Sequence, residues 1–212
     1  MSSVLPTPRT TLRRRRERGS FERAVIHAIL DEGLVCHVAF VHDGQPFVLP
    51  TAHVRVEDTL YVHGARQSRM LETLASGAPA CLTVTLLDGL VLGRSAMHHS
   101  MNYRSVVLLA QGREVGERTE KLRALAALVD HVVPGRAAAV RPPSEAELSA
   151  TRVVAFAIDE ASAKTRVGPP VDLESDYDLP CWAGVVPLRL VAGTPEPDPR
   201  LRSGAAPPPA RR

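Results

Sequence analysis

The sequence predicts a mainly β, α+β protein: a small antiparallel β-barrel with short peripheral helices. About six short apolar or β-branched runs are separated by turn residues, such as the Asp43-Gly44 pair that is typical of a hairpin. Stretches with helical spacing of apolar residues are mostly short. No Gly-x-Gly-x-x-Gly follows a strand, and the strand–helix alternation of a parallel nucleotide-binding sheet is missing.

The elements are predicted in order along the chain. Residues 21–32 have helical spacing, with Ser20 as N-cap and Gly33 as the stop. Pro50 interrupts the second strand and removes a backbone donor, which places that strand at an edge or at a bulge. The remaining predictions are strands at 34–41, 47–56, 59–63, 80–87, 90–97, 103–114 and 153–158, a turn at 88–89, and helices at 67–75, 117–133 and 144–148.

Charge divides the chain into three parts. The net charge of +3 conceals an Arg-rich start, with Arg13 to Arg16 consecutive, and an Arg-containing end rich in Pro and Ala. We therefore expect a basic, disordered arm at 1–16, a folded domain at 17–190 and a disordered tail at 191–212. A basic arm is compatible with nucleic acid, but the body lacks a basic stripe and stacking aromatics, so nucleic acid is not the expected partner.

Cysteine usage and hydropathy predict a cytoplasmic location. Cys36, Cys81 and Cys181 form no Cys-x-x-Cys pair and fit reduced, buried thiols. No apolar run approaches the roughly 20 residues of a membrane span, and no secretory signal is recognised, so we expect no membrane association.

Three segments carry candidate chemistry. After His63, the turn that opens the second helix carries Arg66, Ser68 and Arg69, which suits a phosphate cradle or a solvated helix start. A polar segment contains the adjacent His98 and His99, which point to opposite faces of an extended chain and do not predict a metal site. The third segment carries the only tryptophan, Trp182, which is either a core residue or a flat contact for a planar ligand.

Four segments in order resemble the pyridoxamine 5′-phosphate oxidase-like FMN-binding split barrels, in the branch of flavin-nucleotide-binding and nitroimidazole-resistance-type proteins. The segments are Phe47-Val48-Leu49-Pro50-Thr51-Ala52-His53, Leu60-Tyr61-Val62-His63-Gly64 with Ser68-Arg69, Asn102-Tyr103-Arg104-Ser105-Val106-Val107, and Trp182-Ala183-Gly184-Val185-Val186-Pro187-Leu188.

The resemblance implies a six-stranded Greek-key split barrel that forms a homodimer with FMN at the interface. It places the FMN phosphate at Ser68 and Arg69 and the flavin along Val48, Pro50, Thr51, Ala52 and His53. It also implies flavin contacts, including contacts from the other subunit, by Asn102, Tyr103, Arg104, Ser105 and Trp182.

The expected function is an FMN-dependent oxidoreductase that acts on a small-molecule substrate. The alternative is a non-catalytic flavin- or haem-binding module on the same barrel. His53 and His63 are candidates to face the cofactor, with a structural role as the other possibility for each. The residues identify no general acid or base and no nucleophilic triad.

Overall fold

The structure is a computed structural model that describes residues 3–202, 204 and 206–208. Helices α1 to α5 span Arg23–Glu32, Arg69–Ala75, Arg118–Val132, Arg136–Ala139 and Glu145–Ala150. Strands β1 to β10 span Gly19–Ser20, Val35–His42, Gln45–Val56, Thr59–Ala65, Pro79–Leu92, Ser100–Gln111, Arg113–Glu114, Thr151–Ala157, Ala161–Arg166 and Gly184–Pro187.

The strands form one antiparallel sheet in the order β1-β9-β6-β5-β2-β3-β4-β8-β7, with β10 added to β5. The segment β5-β2-β3-β4 is a Greek key, because the fourth strand in sequence returns to lie beside the first. The predicted antiparallel fold with short helices is confirmed. The described residues form ten strands rather than six, and their hydrogen-bonded order does not close into a ring.

Strand β3 changes partners along its length. Residues 45–52 pair only with β2, whereas 53–56 pair with β4. The turn into β3 has Asp43 and Gly44 at its centre, with φ of 50° and 75°. Positive φ at both central residues is what a two-residue type I′ hairpin turn requires. The predicted edge position of Pro50 is therefore confirmed, and no bulge interrupts its pairing with His37. On the N-terminal side of residue 53, β3 is no longer paired with β4, and this split positions the candidate site.

The main core lies on the inner face of the curved sheet. It combines alternate residues of the strands with one face each of α1 and α2, including Cys36, Val38, Leu82, Ile29 and Leu71. A second, smaller core packs α3 against β3, β4 and β8 through Ala124 and Leu128. Helix α3 begins where the Glu117 carboxylate accepts hydrogen bonds from the backbone N–H groups of Thr119 and Glu120.

Several local predictions differ from the structure; one of them is the N-cap of α1, which is Glu22 rather than Ser20. Asp88-Gly89 is not a turn: β5 runs through it to Leu92, with a register shift between Leu87 and Gly89. A bulge favours the same small and polar residues as a turn, so the local sequence does not separate the two. Of the cysteines, Cys36 is buried, Cys81 is half-buried, and Cys181 is exposed rather than buried.

The described N-terminal residues contact the body. Val4 is 1% exposed within the main core, and its N–H donates to the carbonyl of Phe21 at 2.9 Å. Further along, the Arg9 guanidinium is hydrogen-bonded to Glu160. The disordered arm at 1–16 stays a prediction, and Val4 and Arg9 are points at which this segment contacts the body. Residues 191–202 form no helix or strand and are exposed.

Among the described residues, no helix combines the length and apolarity that a membrane crossing requires.

Candidate functional site

The open edge of β3 presents unpaired backbone groups. In a hairpin closed by a two-residue turn, the flanking residues His42 and Gln45 form a hydrogen-bonded pair, and the pattern then alternates. Positions 46, 48, 50 and 52 therefore direct their backbone groups toward the open edge. Pro46 and Pro50 have no N–H, which leaves the N–H groups of Val48 and Ala52 as donors. Prolines at such an edge also discourage strand addition by another chain.

The turn into α2 separates the two predicted phosphate-binding arginines. The Arg69 guanidinium lies 4.2 Å from the centroid of the Phe47 ring, beside the open edge of β3. Arg66 points the other way, toward Glu114 of β7 at 3.7 Å. Ser68 is the N-cap of α2, but its hydroxyl makes no capping hydrogen bond. The structure thus places Arg69 near β3, with Ser68 next to it in the chain, and does not bring Arg66 to the same place.

A cavity of 810 Å³ opens where β3 and β4 separate. Its lining joins Ala52 and His63 of the strands to α3, α4 and the start of α5. This volume lies within the range of small-molecule and cofactor sites, which is about 300–1,000 Å³. The lining is mostly apolar, and the polar residues in it are His63, Arg141, Glu147 and Thr151.

His63 is the imidazole of this cavity. Its Nδ1 is buried and has no hydrogen-bond partner among the described residues. Burial lowers the pKa of the His63 imidazole below its ordinary value. The side chain is therefore neutral at neutral pH and retains a nitrogen lone pair, which is the form that binds metal ions.

Arg141 and Glu147 form the charged part of the cavity lining. The two side chains make a bidentate ion pair, with Nη1 to Oε2 at 2.8 Å and Nη2 to Oε1 at 2.6 Å. Both are exposed, so this pair lies where the cavity meets solvent. Exposed pairs stabilise a fold only weakly, and the Arg141 guanidinium can exchange its partner for another carboxylate at small cost.

His53 is placed differently from His63. It is fully buried, and its Nε2 lies 3.0 Å from the carbonyl oxygen of Leu30 near the end of α1. Its ring also packs 5.4 Å from that of His131 on α3. These contacts give His53 the structural role that the sequence left open.

The third and fourth predicted segments lie elsewhere on the chain. Asn102, Tyr103, Arg104 and Ser105 belong to β6, which β2 and β5 separate from β3. Asn102 is buried and accepts a hydrogen bond from Arg166. Arg104 forms ion pairs with Glu32 and Asp88, and hydrogen bonds to these carboxylates raise the pKa of its guanidinium. A single chain therefore does not bring this segment to the open edge of β3.

Trp182 is 67% exposed and is not a core residue. Two atoms of its indole ring lie only 3.0 Å from the position that a Cβ of Gly184 would occupy. The glycine therefore permits the ring to lie against the backbone, as the small neighbouring residues indicate. The adjacent histidines also diverge: His98 lies 3.4 Å from Asp172, whereas Nδ1 of His99 lies 3.0 Å from the Ser95 carbonyl.

The cavity is the part of the site that the sequence analysis did not identify. Its signal was present in α3, where Leu122, Leu125, Ala126 and Val129 share one face. In the structure these side chains line the cavity, Leu128 belongs both to the cavity lining and to the second core, and Ala124 packs into the second core. An amphipathic pattern does not distinguish a face that covers a core from one that lines a cavity.

The chain belongs to the pyridoxamine 5′-phosphate oxidase family, whose sequence model matches residues 22–165. Among solved structures, it is similar to the flavocytochrome Anf3 from Azotobacter vinelandii, with 40% identity, a TM-score of 0.90, and coverage of 97% of this chain and 95% of that one. It is also similar to an FAD and heme binding protein from Mycobacterium smegmatis, with 39% identity, a TM-score of 0.86, and coverage of 91% and 94%.

A candidate 5-nitroimidazole antibiotic resistance protein from Bacteroides thetaiotaomicron shares the fold at 22% identity, with a TM-score of 0.58 over 69% of this chain and 85% of that one. No curated protein matches the chain.

Proposed function

We propose that this protein binds a flavin nucleotide along the open edge of β3 and a non-covalent heme in the adjacent cavity, and that it is an oxidoreductase acting on a small molecule. The observation that carries the proposal is the split between β3 and β4. It places an unused strand edge next to an apolar cavity lined by a neutral imidazole. The two relatives at 39–40% identity, a flavocytochrome and an FAD and heme binding protein, support the same pairing of groups.

The flavin part rests on backbone groups and one cation. The N–H groups of Val48 and Ala52 suit the acceptors on the pyrimidine edge of a flavin, where they stabilise negative charge. Arg69 and Ser68 suit the phosphate next to the ribityl chain. The family resemblance favours FMN, and the M. smegmatis relative is named for FAD. Both nucleotides contain the isoalloxazine, ribityl and phosphate groups that this edge would contact.

The heme part rests on the fit of the cavity. Its volume and apolar lining suit a flat macrocycle, and His63 offers the nitrogen ligand that heme iron commonly takes. Arg141, released from Glu147, suits a propionate at the cavity mouth. The sequence contains no Cys-x-x-Cys-His, so covalent attachment of heme is not expected.

When bound, a flavin supplies hydride or single-electron chemistry and a heme supplies single-electron chemistry. The residues of this chain bind and orient those groups. Ala52 and His63 line the cavity at the split, so the two sites adjoin one another there. The apolar residues of α3 exclude water from the cavity, and we assign no residue as a general acid or base.

We further propose that the protein forms a homodimer through the outer face of its sheet. Two cross-strand rows of that face carry no Asp, Glu, Lys or Arg; they are Val48, Ala39, Cys81 and Leu109, then Pro50, His37, Thr83, Val107 and Ser162. The solvent face of an antiparallel sheet is ordinarily polar. In such a dimer, Tyr103 and Ser105 of one subunit would approach the open edge of β3 in the other.

The absorption spectrum of the full-length protein, expressed with a heme precursor, tests the proposal. We expect flavin absorption bands in the blue part of the visible spectrum and a separate heme band. Chromatography of the released flavin then distinguishes FMN from FAD. His63→Ala should remove or shift the heme band and retain the flavin bands. The matched control is His99→Ala, because His99 is exposed and lies outside the cavity lining. A protein that stays colourless with added FMN, FAD and hemin would contradict the proposal.

Turnover separates an enzyme from a carrier built on the same barrel. Consumption of NADH or NADPH with an added electron acceptor, at catalytic protein concentrations, supports the oxidoreductase. Stable cofactor binding without turnover, across several reductants and acceptors, supports a non-catalytic flavin- and heme-binding module instead.

A further inference from the structure

The arginine-rich segment that precedes β1 is held on the surface of the domain. Val4 anchors the chain in the core, and Thr10 is also buried. The Gly19 backbone packs against Leu12, since a Cβ there would lie 2.8 Å from a Leu12 methyl. β1 then pairs with β9. The arginines between these anchor points therefore have a defined place on the molecule.

Four arginines of this segment lack carboxylate partners among the described residues, unlike Arg9, which pairs with Glu160, and most arginines of the body. Among the described residues, Arg13, Arg14, Arg16 and Arg18 form no ion pair, and Glu17 contacts only Arg15 at 4.0 Å. By contrast, body arginines with acidic partners include Arg23, Arg55, Arg94, Arg104, Arg113, Arg118, Arg141 and Arg152. The charge of the segment is thus left uncompensated at one place.

This segment adjoins β9 and, through it, the predicted flavin segment of β6. Gly19 pairs with Lys164, and Lys164 pairs with Ser105. Burial, and after it the nearby positive charge of Arg18, lower the pKa of the Arg166 guanidinium on β9. We call Arg13, Arg14, Arg16, Arg18 and Lys164 the basic surface.

We propose that the basic surface is the docking site for an acidic electron-donor protein, which rests on the proposed function. Uncompensated charges at a fixed place attract a protein of opposite charge and orient it before contact. The surface lies on the edge of the sheet next to Tyr103 and Ser105, so a protein docked there is near the proposed flavin site of the dimer. One electron passes per encounter: the donor is oxidised and this protein is reduced.

The composition of the segment favours a protein over a nucleic acid. Residues 1–20 contain no aromatic side chain on which a base can stack. The exposed aromatics Trp182 and Tyr177 belong to the C-terminal segment, where Tyr177 is covered by the Arg94 guanidinium at 4.7 Å. A nucleic-acid site would require the arginines to act through phosphate contacts alone.

The test uses the full-length, cofactor-loaded protein with reduced plant-type ferredoxin, a small acidic iron–sulfur protein, as the probe. The first variant replaces Arg13, Arg14, Arg16 and Arg18 with Gln. The matched control replaces Arg136, Arg189, Arg200 and Arg202 with Gln, because these arginines are exposed, form no ion pair among the described residues and change the net charge equally. Stopped-flow absorbance measures the reduction rate at low and high salt, with dithionite as a small reductant.

We expect the first variant to be reduced by ferredoxin at least about tenfold more slowly than wild type at low salt, with a weaker salt dependence. The control variant should behave as wild type, and reduction by dithionite should be unchanged in all three proteins. Equal rates in wild type and the first variant would overturn the proposal. Equal losses in both variants would also overturn it, because net charge alone would then explain them.

Two further measurements separate this proposal from others. Retention on duplex DNA that the first variant alone loses, without a change in ferredoxin kinetics, would assign the basic surface to nucleic acid and overturn the proposal. If the protein holds neither flavin nor heme, the proposed function fails, and salt-sensitive binding of fluorescently labelled ferredoxin still tests the docking surface. Such binding, lost only in the first variant, would support the surface on its own; its absence would overturn it.

Discussion

The Arg69 guanidinium lies over the Phe47 ring, with its central carbon 4.2 Å from the ring centroid, and this contact holds a positive charge beside the open edge of β3. Phe47 in turn stacks on Phe40, with ring centroids 5.5 Å apart. Because Phe40 belongs to the main core, the Phe47 ring that supports the cation is fixed in place. A cation held in this way loses little additional freedom when it binds an anion. Arg69 is therefore the residue that we expect to discriminate a phosphorylated flavin from riboflavin.

Replacing Arg69 with Ala should weaken binding of the flavin nucleotide by about 1.5–3 kcal/mol, the range for hydrogen bonds to charged groups. Riboflavin binding should change little, because riboflavin has no phosphate. Fluorescence titration of the flavin-free protein measures both affinities, and Arg118→Ala is the control, since Arg118 pairs with Glu145 away from the split. Equal losses for both ligands would show that Arg69 has a structural role only.

His63 links pH to the stability of the heme-free protein. Burial lowers the pKa of its imidazole in the folded state, so the unfolded chain binds more protons as pH falls below about 6.5. The free energy of unfolding should therefore decrease on acidification in this range, and this contribution should be absent above it. In His63→Leu, urea unfolding should show a smaller decrease between pH 7.5 and 5.5 than in wild type. An unchanged decrease would mean that His63 protonates freely in the fold.

The different surroundings of the two candidate histidines could not be predicted from the sequence. His53 lies within the predicted strand at 47–56 and His63 ends the predicted strand at 59–63, and this local pattern does not distinguish their roles. The separation comes from residues distant in sequence: Leu30 and His131 surround His53, whereas α3 leaves a cavity against His63. Such long-range placement is not encoded in the spacing of neighbouring residues.

The apolar surface of helix α3 packs partly into the second core and partly lines the cavity. Leu128 is 5% exposed, packs into the second core and also reaches the cavity, whereas Val129 is 37% exposed and lines the cavity without joining that core. The sequence correctly predicts the helix and its apolar face, since the 3.6-residue period is a local property. What covers that face depends on where α4 and the segment before α5 return, and no local pattern fixes that path.

Substitutions of these two neighbours should differ in their effect on the stability of the fold, because only Leu128 also packs into the second core. Leu128→Ala should lower the free energy of unfolding of the heme-free protein by roughly 2–5 kcal/mol, because it leaves a void in a packed core. Val129→Ser should cost less than about 1 kcal/mol and weaken heme binding, because it places a hydroxyl in the apolar lining. Urea unfolding and heme titration measure the two effects. A large loss of stability in Val129→Ser would show that the cavity is closed by packing in solution.

Two carboxylates at the C-terminal end of α1 lie against the negative end of the helix dipole. Asp31 and Glu32 lie in its last turn, where the partial negative charge of the helix disfavours carboxylates. Arg55 pairs with Asp31 at 2.6 Å, and Arg104 pairs with Glu32 and Asp88. The predicted flavin residue Arg104 is therefore also the link that fixes α1 to β5 and β6.

At the scale of the whole molecule, the part of the chain that the structure describes leaves much of the outer sheet face on β2 and β3 exposed. Val35, Val41 and Val48 on β2 and β3 are 47%, 55% and 61% exposed. The sequence predicts strands and their alternation, but alternation alone does not show whether the second face meets water or another subunit. A standard interface of about 800 Å² per partner is needed to cover such a face stably.

Replacing Val107 with Glu should dissociate the proposed homodimer. Val107 lies on β6 within the uncharged row of the outer face, opposite Thr83 and Ser162. A carboxylate buried there without a partner would meet its copy from the other subunit or lie against apolar residues, and either arrangement disfavours association. Sedimentation velocity should give a dimer for wild type at micromolar concentration and a monomer for Val107→Glu, with unchanged far-ultraviolet circular dichroism.

Val171→Glu is the control for this substitution, because Val171 is 76% exposed and lies on the C-terminal segment outside the two uncharged rows. It should remain dimeric. If the open edge of β3 is completed by Tyr103 and Ser105 of the other subunit, flavin affinity should fall in Val107→Glu in parallel with dissociation, and raising the protein concentration should restore both. A monomeric wild type that binds flavin with full affinity would show that each chain forms its site alone.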